Sequence, residues 1–477
     1  MKLQNKPRVV LGAPRSGSGK TLVSIALMQA LTAAGKKVSA YKCGPDYIDP
    51  MFHKKILGVP SRNLDLFFAD EELAKSLFAD SAAGSGNTDN TEISVIEGVM
   101  GLFDGIGTTD QASTYHLAKT LAAPIILIVD SKGMGRSVIA EIAGFLMLDK
   151  MHLIKGVILN NMSATFYEAV KPAIEAELDV PVLGYFPFQK NIKIESRYLG
   201  LKLPDEIDGI KQMVSKAAAE LAKTVDLKRI EAIAEEAPLL EYEPLETLLQ
   251  IPARPQNRVR IALAKDEAFC FYYDDNIKLL EKLGAEIVEF SPLHDKQLPP
   301  EISGLILGGG YPEQFAGKLA ANQSMKDSVL AALNARLPSI AECGGFMYLH
   351  ESIETQDGKQ HSMVGAIKGT CRFMSKLVRF GYISISANSA ISGGASGGFL
   401  AEGKAIKAHE FHYFDSTDNG ASCTATKPAG AKSWNCVHCG ENHWWGFPHL
   451  YYLSDVEFAK RFLAVCKANC AAGKKEQ

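Results

Sequence analysis

Two groups of residues in this 477-residue chain have the types and spacing for catalysis, and a third resembles a metal site. The stretch "APRSGSGKT" (13–21) places Gly17 and Gly19 ahead of Lys20 and Thr21. Glycines let the backbone wrap phosphate oxygens, the lysine reaches β- and γ-phosphates, and the threonine hydroxyl meets Mg²⁺. Pro14 stands where the usual phosphate loop has its first glycine. Two acidic stretches follow. "KCGPDYIDPMFH" (42–53) carries Lys42, Asp46 and Asp49, and "EGVMGLFDG" (97–105) carries Glu97 and Asp104. Acids beside a phosphate loop suit Mg²⁺ coordination or the positioning of a phosphoryl acceptor. Either loop alone is as well explained by helix capping or a solvated turn. Two together point to function.

The second group centres on Cys343 in "PSIAECGGFMYLHES" (338–352). Gly344 and Gly345 allow a sharp strand-to-helix turn that presents the thiol, and a helix N-terminus there is expected to lower its pKa. Gly344 and the glycines Gly309 and Gly310 of "LILGGGYPE" (305–313) can offer N–H groups to an oxyanion. The ordinary alternative is a small buried cysteine. A nucleophilic thiol needs a base, and the candidates are His409, His412, His438, His443 and His449. The third group is Cys436-x-x-Cys439 within "NCVHCGENHWWGFPHLYY" (435–452). Cys423 with His438 or His443 would complete a tetrahedral zinc set, but the spacings match no common finger. A reduced loop knuckle beside Trp444 and Trp445 explains the pair as well.

These residues need a scaffold. "RVVLG", "ISVIEGV", "APIILIVD" and "KGVILN" are continuous apolar runs bounded by turn signals, as in parallel strands buried on both faces, and "KVSAYKC" reads as a further strand. Helical patterns alternate with them, beginning with "KTLVSIALMQALTAAG". This predicts an α/β chain of two doubly wound, mainly parallel-sheet domains, the first opening on the phosphate loop. The first spans 1–225. A Pro- and Glu-rich linker is expected over 226–257. The second spans 258–477, with antiparallel strands appended over 381–440. The stretch "SAAGSGNTDN" (81–90) reads as a surface loop.

Composition fits a globular protein, with 47% hydrophobic and 22% charged residues. The net charge of −3 gives no field for a nucleic acid, so no such partner is expected. No apolar run approaches a membrane span, and no signal peptide is visible. The expectation is a cytoplasmic protein with no membrane partner and nine reduced cysteines.

Taken together, "APRSGSGKT", "KCGPDYIDPMFH", "EGVMGLFDG", "ESRYLGL" (195–201), "LGGGYPE", "AECGGFMYL", "RFGY" and "HEFHYF" resemble the cobyrinate a,c-diamide synthases, kin of cobyric acid synthase. The resemblance covers nearly the whole chain. It implies a dethiobiotin-synthetase-like ATPase followed by a triad-type glutaminase. It further implies ATP and glutamine as co-substrates, Mg²⁺ as cofactor and a tetrapyrrole carboxylate as acceptor. Cys343 would be the nucleophile and His449 its base, with Gly309, Gly310 and Gly344 as the oxyanion donors. Ser16, Gly17, Ser18, Gly19, Lys20 and Thr21 would bind ATP. Thr21, Asp46 and Glu97 would hold Mg²⁺, while Lys42, Asp46, Tyr47, Asp49 and Asp104 would serve substrate and intermediate. A homodimer is compatible with it. His409 and His412 are expected in tetrapyrrole contacts or packing.

The resemblance departs at the C-terminal histidine. The family pattern resembles "SYLHLHF", whereas this chain has "GFPHLYY" (446–452), with Tyr451 in place of the second histidine. A triad glutaminase carries a glutamate there. Related acceptors of the same chemistry are the acetates of sirohaem and nickel-sirohydrochlorin. An alternative of another class is a regulatory or partition ATPase with an inert glutaminase-like tail. An inert tail has no reason to keep both Cys343 and His449.

Overall fold

The computed structural model describes residues 1–80, 91–189, 196–197, 200–201, 207, 209–251, 258–388, 398–430 and 432–473. The loop expected at 81–90 and residues 195, 198 and 199 of "ESRYLGL" lie outside them. Two compact units divide the chain, Met1–Leu248 and Leu249–Gln477.

In the first unit the apolar runs form a seven-stranded sheet. Its strands are β1 (Arg8–Gly12), β2 (Val38–Cys43), β3 (Ser61–Leu64), β4 (Ile93–Glu97), β5 (Ile125–Asp130), β6 (Ile154–Asn160) and β7 (Val182–Phe186). Their spatial order is β3-β2-β4-β1-β5-β6-β7, and every pairing is parallel. Every residue of β1, β2 and β4 is buried, Lys42 and Glu97 at the strand ends included, as in strands covered on both faces. Helix α1 (Lys20–Ala33) packs Val23, Leu27 and Leu31 against Val9, Val95 and Ile126. Strands β2, β4 and β1 are neighbours, so the loops leaving their carboxyl ends, at 44–48, 98–105 and 13–19, lie along one edge. Parallel α/β sheets place ligands at such an edge.

The expected linker is structured over much of its length. Helix Leu227–Glu235, strand Leu240–Tyr242 and helix Leu245–Leu248 all belong to the first unit. The strand pairs with Lys2–Gln4, and the buried Arg8 guanidinium donates to Pro238 O at 2.8 Å. Ile230, Ile233 and Ala234 are fully buried in the core. Charged residues between these apolar positions made an amphipathic helix read as a linker. Residues 252–257 lie outside the described set.

In the second unit β8 (Val259–Ala264), β9 (Ala285–Phe290), β10 (Gly304–Leu307) and β11 (Ser339–Glu342) form a parallel sheet. A second, five-stranded sheet is antiparallel. It contains β12 (Arg379–Ala387), β13 (Ala405–His412), β14 (Cys423–Thr426) and β15 (Ser433–Cys436). The hairpin β16 (His438–Cys439) and β17 (His443–Gly446) returns to extend the first sheet beside β11. β18 (His449–Leu450) then pairs with β13 to complete the second sheet. This supplies the antiparallel strands expected in the 381–440 region. No helix among the described residues is long and apolar enough to cross a membrane.

Candidate active site

The phosphate loop ends with Gly17 and Gly19 at positive φ (81° and 83°), and Gly19 caps α1. A Cβ on Gly19 would lie 2.1 Å from Asn160 Nδ2, whose side chain donates to Ser18 O at 2.8 Å. Asn160, at the end of β6, therefore braces the loop from behind. Ser18 Oγ is buried and has no hydrogen-bond partner. Lys20 Nζ donates to Met100 O at 2.7 Å, so the "EGVMG" loop folds over the phosphate loop. Burial, and next the charge of Lys42, lower the Lys20 pKa to about 8. Pro14, which replaces the first glycine, presents its carbonyl to Gly101, where a Cβ would lie 2.6 Å from that oxygen.

The acids behind this loop are joined in one buried network. Thr21 Oγ1 donates to Glu97 Oε1 at 2.7 Å. Lys42 Nζ lies 3.0 Å from Glu97 Oε1 and 2.5 Å from Asp49 Oδ2. His53 Nε2 lies 3.4 Å from Glu97 Oε2, and its Nδ1 hydrogen-bonds Ser61 Oγ at 2.9 Å. Burial opposes the charge on Lys42, but Asp49, Glu97 and Asp46 outweigh it and raise its pKa. Burial likewise opposes the Glu97 charge, and Lys42 with His53 outweighs it, so Glu97 stays ionised. Asp49 goes the other way: burial, then the Glu97 charge, hold it well above the usual carboxylate range.

Asp46 is at the rim, where Oδ1 accepts the amides of Ile48 and Asp49 and starts helix α2 (Ile48–Lys55). Tyr47 is the residue just before that helix. Asp104 Oδ2 accepts the Gly101 amide at 2.9 Å and closes its own turn. Among the described residues no group of three or more His, Cys, Asp or Glu is arranged to hold a metal ion. Mg²⁺ in nucleotide sites needs only one or two protein oxygens, because phosphates and water supply the rest. The touching Thr21 hydroxyl and ionised Glu97 carboxylate fit that need. Asp46 is less direct, since one of its oxygens is a helix cap. His53 joins this network with no motif in the sequence to mark it beyond its place one turn after Asp49, both facing the core.

In the second unit Cys343 stands between β11 and the short helix α3 (Gly344–Leu349) with φ 46° and ψ −103°. That strained conformation for a side-chain-bearing residue is the expected elbow. Its amide donates to Gly446 O at 2.9 Å, and the Gly345 amide donates to Gly308 O at 2.9 Å. A Cβ on Gly345 would sit 2.1 Å from Leu307 O, so the glycine lets the helix meet the end of β10. A Cβ on Gly344 would lie 3.1 Å from Gly310 N. A Cβ on Gly309 would lie 2.3 Å from His449 Cε1. The Gly309–Gly310 segment is therefore flanked by the elbow on one side and the His449 imidazole on the other. The thiol differs from the sequence expectation. Burial, and next the Glu313 charge, push Cys343 up rather than down, and a six-residue helix does not reverse this.

His449 is buried, and burial, then His409 and His412, lower its pKa to about 3. His409 is its register partner across β13 and β18. The residue that replaces the family's second histidine is engaged elsewhere, since Tyr451 Oη donates to Asp275 Oδ2 at 3.4 Å. Asn276 instead fixes the strand: its Nδ2 donates to Leu450 O and its Oδ1 accepts the Tyr452 amide, both at 2.8 Å. His412 stacks on Phe447 at 4.0 Å between ring centres. Glu342, next to Cys343 in the chain, is buried and raised to about 8, with Tyr452 Oη 3.3 Å away.

The zinc candidates do not converge. Val437, at φ 67°, splits the Cys-x-x-Cys between sheets, leaving Cys436 in β15 and Cys439 in β16. Cys439 Sγ lies 3.9 Å from Cys423 Sγ instead.

Comparison with known proteins accords with both units. Residues 9–201 match the family model "CobQ/CobB/MinD/ParA nucleotide binding domain", and residues 260–443 match "CobB/CobQ-like glutamine amidotransferase domain". A protein of Clostridium tetani is 39% identical over 459 residues, covering 95% of this chain and 99% of its own. One of Dehalococcoides mccartyi strain CBDB1 is 38% identical over 476 residues, covering 98% and 99%. One of Picrophilus torridus is 39% identical over 461 residues, covering 96% and 98%. All three are named cobyrinate a,c-diamide synthase. With a nucleotide-binding unit and a glutaminase unit in one chain, this protein belongs to the cobyrinate a,c-diamide synthase family, ligases that form carbon–nitrogen bonds with glutamine as the amide nitrogen donor.

Proposed function

We propose that the chain amidates the a and c acetate side chains of cobyrinate, a corrin tetrapyrrole, using ATP and glutamine. The relatives' shared name supports the acceptor. The observation that carries the mechanism is the joint presence of a phosphate loop with buried acids and an elbow cysteine with a histidine at its glycine loop.

In the glutaminase half, His449 takes the Cys343 proton as sulfur attacks the carboxamide carbon of glutamine. Burial opposes each ion alone, but thiolate and imidazolium form together and attract one another. The N–H groups at Gly309, Gly310 and Gly344 receive the oxyanion. His449 returns the proton to the leaving nitrogen, ammonia departs, and water hydrolyses the thioester to glutamate.

In the synthetase half, the acetate carboxylate attacks the γ-phosphorus of ATP and ADP leaves. A carboxylate is a poor electrophile, and the acyl phosphate gives it a leaving group. Ammonia then displaces phosphate to form the amide. The amides of Ser16, Gly17, Ser18 and Gly19 cradle phosphate, and Lys20 leaves Met100 O for the phosphate oxygens. Thr21 and Glu97, with Asp46 at the rim, would hold Mg²⁺, which screens the phosphate charge. Lys42 and Asp49 fix Glu97, while Asp46, Tyr47 and Asp104 border the acceptor and its phosphorylated form. Incubating the enzyme with ATP, glutamine and cobyrinate, then following acid-labile acyl phosphate and amide product, tests this scheme. Amide formation without ATP consumption would overturn it.

A further inference from the structure

Three cysteines in the second unit play no part in the amidation chemistry, and Cys423 stands beside each of the other two. Cys423 and Cys436 are register partners on the antiparallel strands β14 and β15. Ser422 N donates to Val437 O at 2.9 Å in the neighbouring pair. Cys423 and Cys436 therefore occupy a non-hydrogen-bonded position, where opposed side chains approach most closely. From the other side, Cys439 Sγ lies 3.9 Å from Cys423 Sγ. Ser422 ties the two segments together there: its Oγ accepts from the Cys439 amide at 3.1 Å and donates to Cys439 O at 3.4 Å. Cys423 and Cys436 are buried, while Cys439 is half-exposed. Either sulfur can donate in this contact, which lowers the Cys439 pKa and raises that of Cys423.

These strands reach the catalytic loop. Cys439 belongs to β16, which pairs with β17, and β17 ends at Gly446, whose carbonyl holds the Cys343 amide. His438, beside Cys439, lies with its ring 6.0 Å from that of Phe346 in the elbow helix. Cys436 lines a small pocket with Arg379, Glu410, His412, Phe447 and Pro448, the last two leading into His449.

We propose that Cys423 and Cys439 are a reversible disulfide site, with Cys436 as exchange partner, and that its closure slows the glutaminase. The coupling to the glutaminase rests on the reading of Cys343 as nucleophile; the disulfide site itself does not. The oxidant is a low-molecular-weight disulfide, RS–SR. Cys439 thiolate attacks one sulfur, forming a mixed disulfide and releasing RS⁻, which takes up a proton. Cys423, on losing its proton, attacks the Cys439 sulfur and releases the second RS⁻. Two protein thiols are oxidised and one RS–SR is reduced to two RSH. The sulfurs are already near one another, so closure to bonding distance needs a small shift of β16 towards β14. That shift pulls on the hairpin that positions Gly446. Disulfides in reducing compartments are characteristically transient devices of this kind.

The test uses the full chain and oxidised glutathione. With Cys343→Ala, which removes the reactive thiol, remaining thiols are alkylated and the digest is mapped by mass spectrometry. A Cys423–Cys439 linked peptide, alone or with the Cys423–Cys436 exchange isomer, is expected; complete alkylation of all three cysteines would overturn the site. In parallel, glutamine hydrolysis by the Cys343-containing enzyme is expected to fall several-fold and to return with dithiothreitol, while Cys439→Ser and Cys423→Ala variants keep their rates. Equal loss in these variants, or no loss in the parent, would overturn the coupling. A reduced parent with no glutaminase at all would instead refute the role given to Cys343.

Discussion

The His449 imidazole lies against Gly309 so closely that a Cβ on the glycine would sit 2.3 Å from Cε1. The loop proposed to supply oxyanion donors thus also fixes the ring proposed as the base. Gly309→Ala must therefore displace the ring, and a misplaced base costs about 10²-fold or more. Glutamine-dependent synthesis should fall by that factor while ammonia-dependent synthesis persists. Equal loss with both nitrogen donors would show a general folding defect instead.

Cys343→Ala removes the sulfur but no buried charge, since the thiol is neutral at rest. Glutamine hydrolysis should vanish, with ATP-dependent amidation still supported by ammonium salts. Residual glutamine hydrolysis in the variant would rule out this nucleophile.

Glu97 joins Thr21, Lys42 and His53. Glu97→Gln leaves Lys42 with Asp49 alone, and breaking a buried ion network costs about 3–5 kcal/mol. Synthesis should be lost with either nitrogen donor, and the thermal midpoint should drop. Asp46→Asn at the rim should impair synthesis while sparing glutamine hydrolysis and stability. A synthetic rate matching the parent's would remove Asp46 from the site.

Glu342 offers a test by pH. Its folded pKa is about 8 against an ordinary 4.5, because it is buried. The folded state keeps a proton that the unfolded state loses, so this contribution is full below 4.5 and is lost as pH rises through 8. The slope is at most about 1.4 kcal/mol per pH unit. Glu342→Gln removes it, so the parent should lose stability relative to the variant between pH 5 and pH 8. Parallel denaturation midpoints across that range would show that Glu342 is ionised in the folded protein.

Strand and loop positions were legible because buried parallel strands are unbroken apolar runs with glycine-rich or acidic exits. The elbow at Cys343 was legible for the same reason, since only Gly344 and Gly345 allow the approach to β10. Less accessible were relations set by tertiary packing. His53 reaches Glu97 only once α2 packs on β2 and β3, beside β4 in the sheet. His409 meets His449 through a strand pairing that spans forty residues of chain. Tyr451 signalled a missing carboxylate, but the clamp at Asn276 lies some 170 residues earlier. The helix at 227–235 was hidden by its charged exposed face. The thiol pKa was misjudged because burial cannot be read from a Gly-Gly turn.

The central claim is the conversion of two acetates of a corrin into amides. Mass spectrometry of the macrocycle after incubation with ATP, Mg²⁺ and glutamine tests it most directly, with cobyrinate, sirohaem and nickel-sirohydrochlorin in parallel. Cobyrinate is expected to undergo one OH-to-NH₂ exchange at each of the a and c acetates, only when ATP is present. Unchanged cobyrinate alongside amidated sirohaem or nickel-sirohydrochlorin would contradict it.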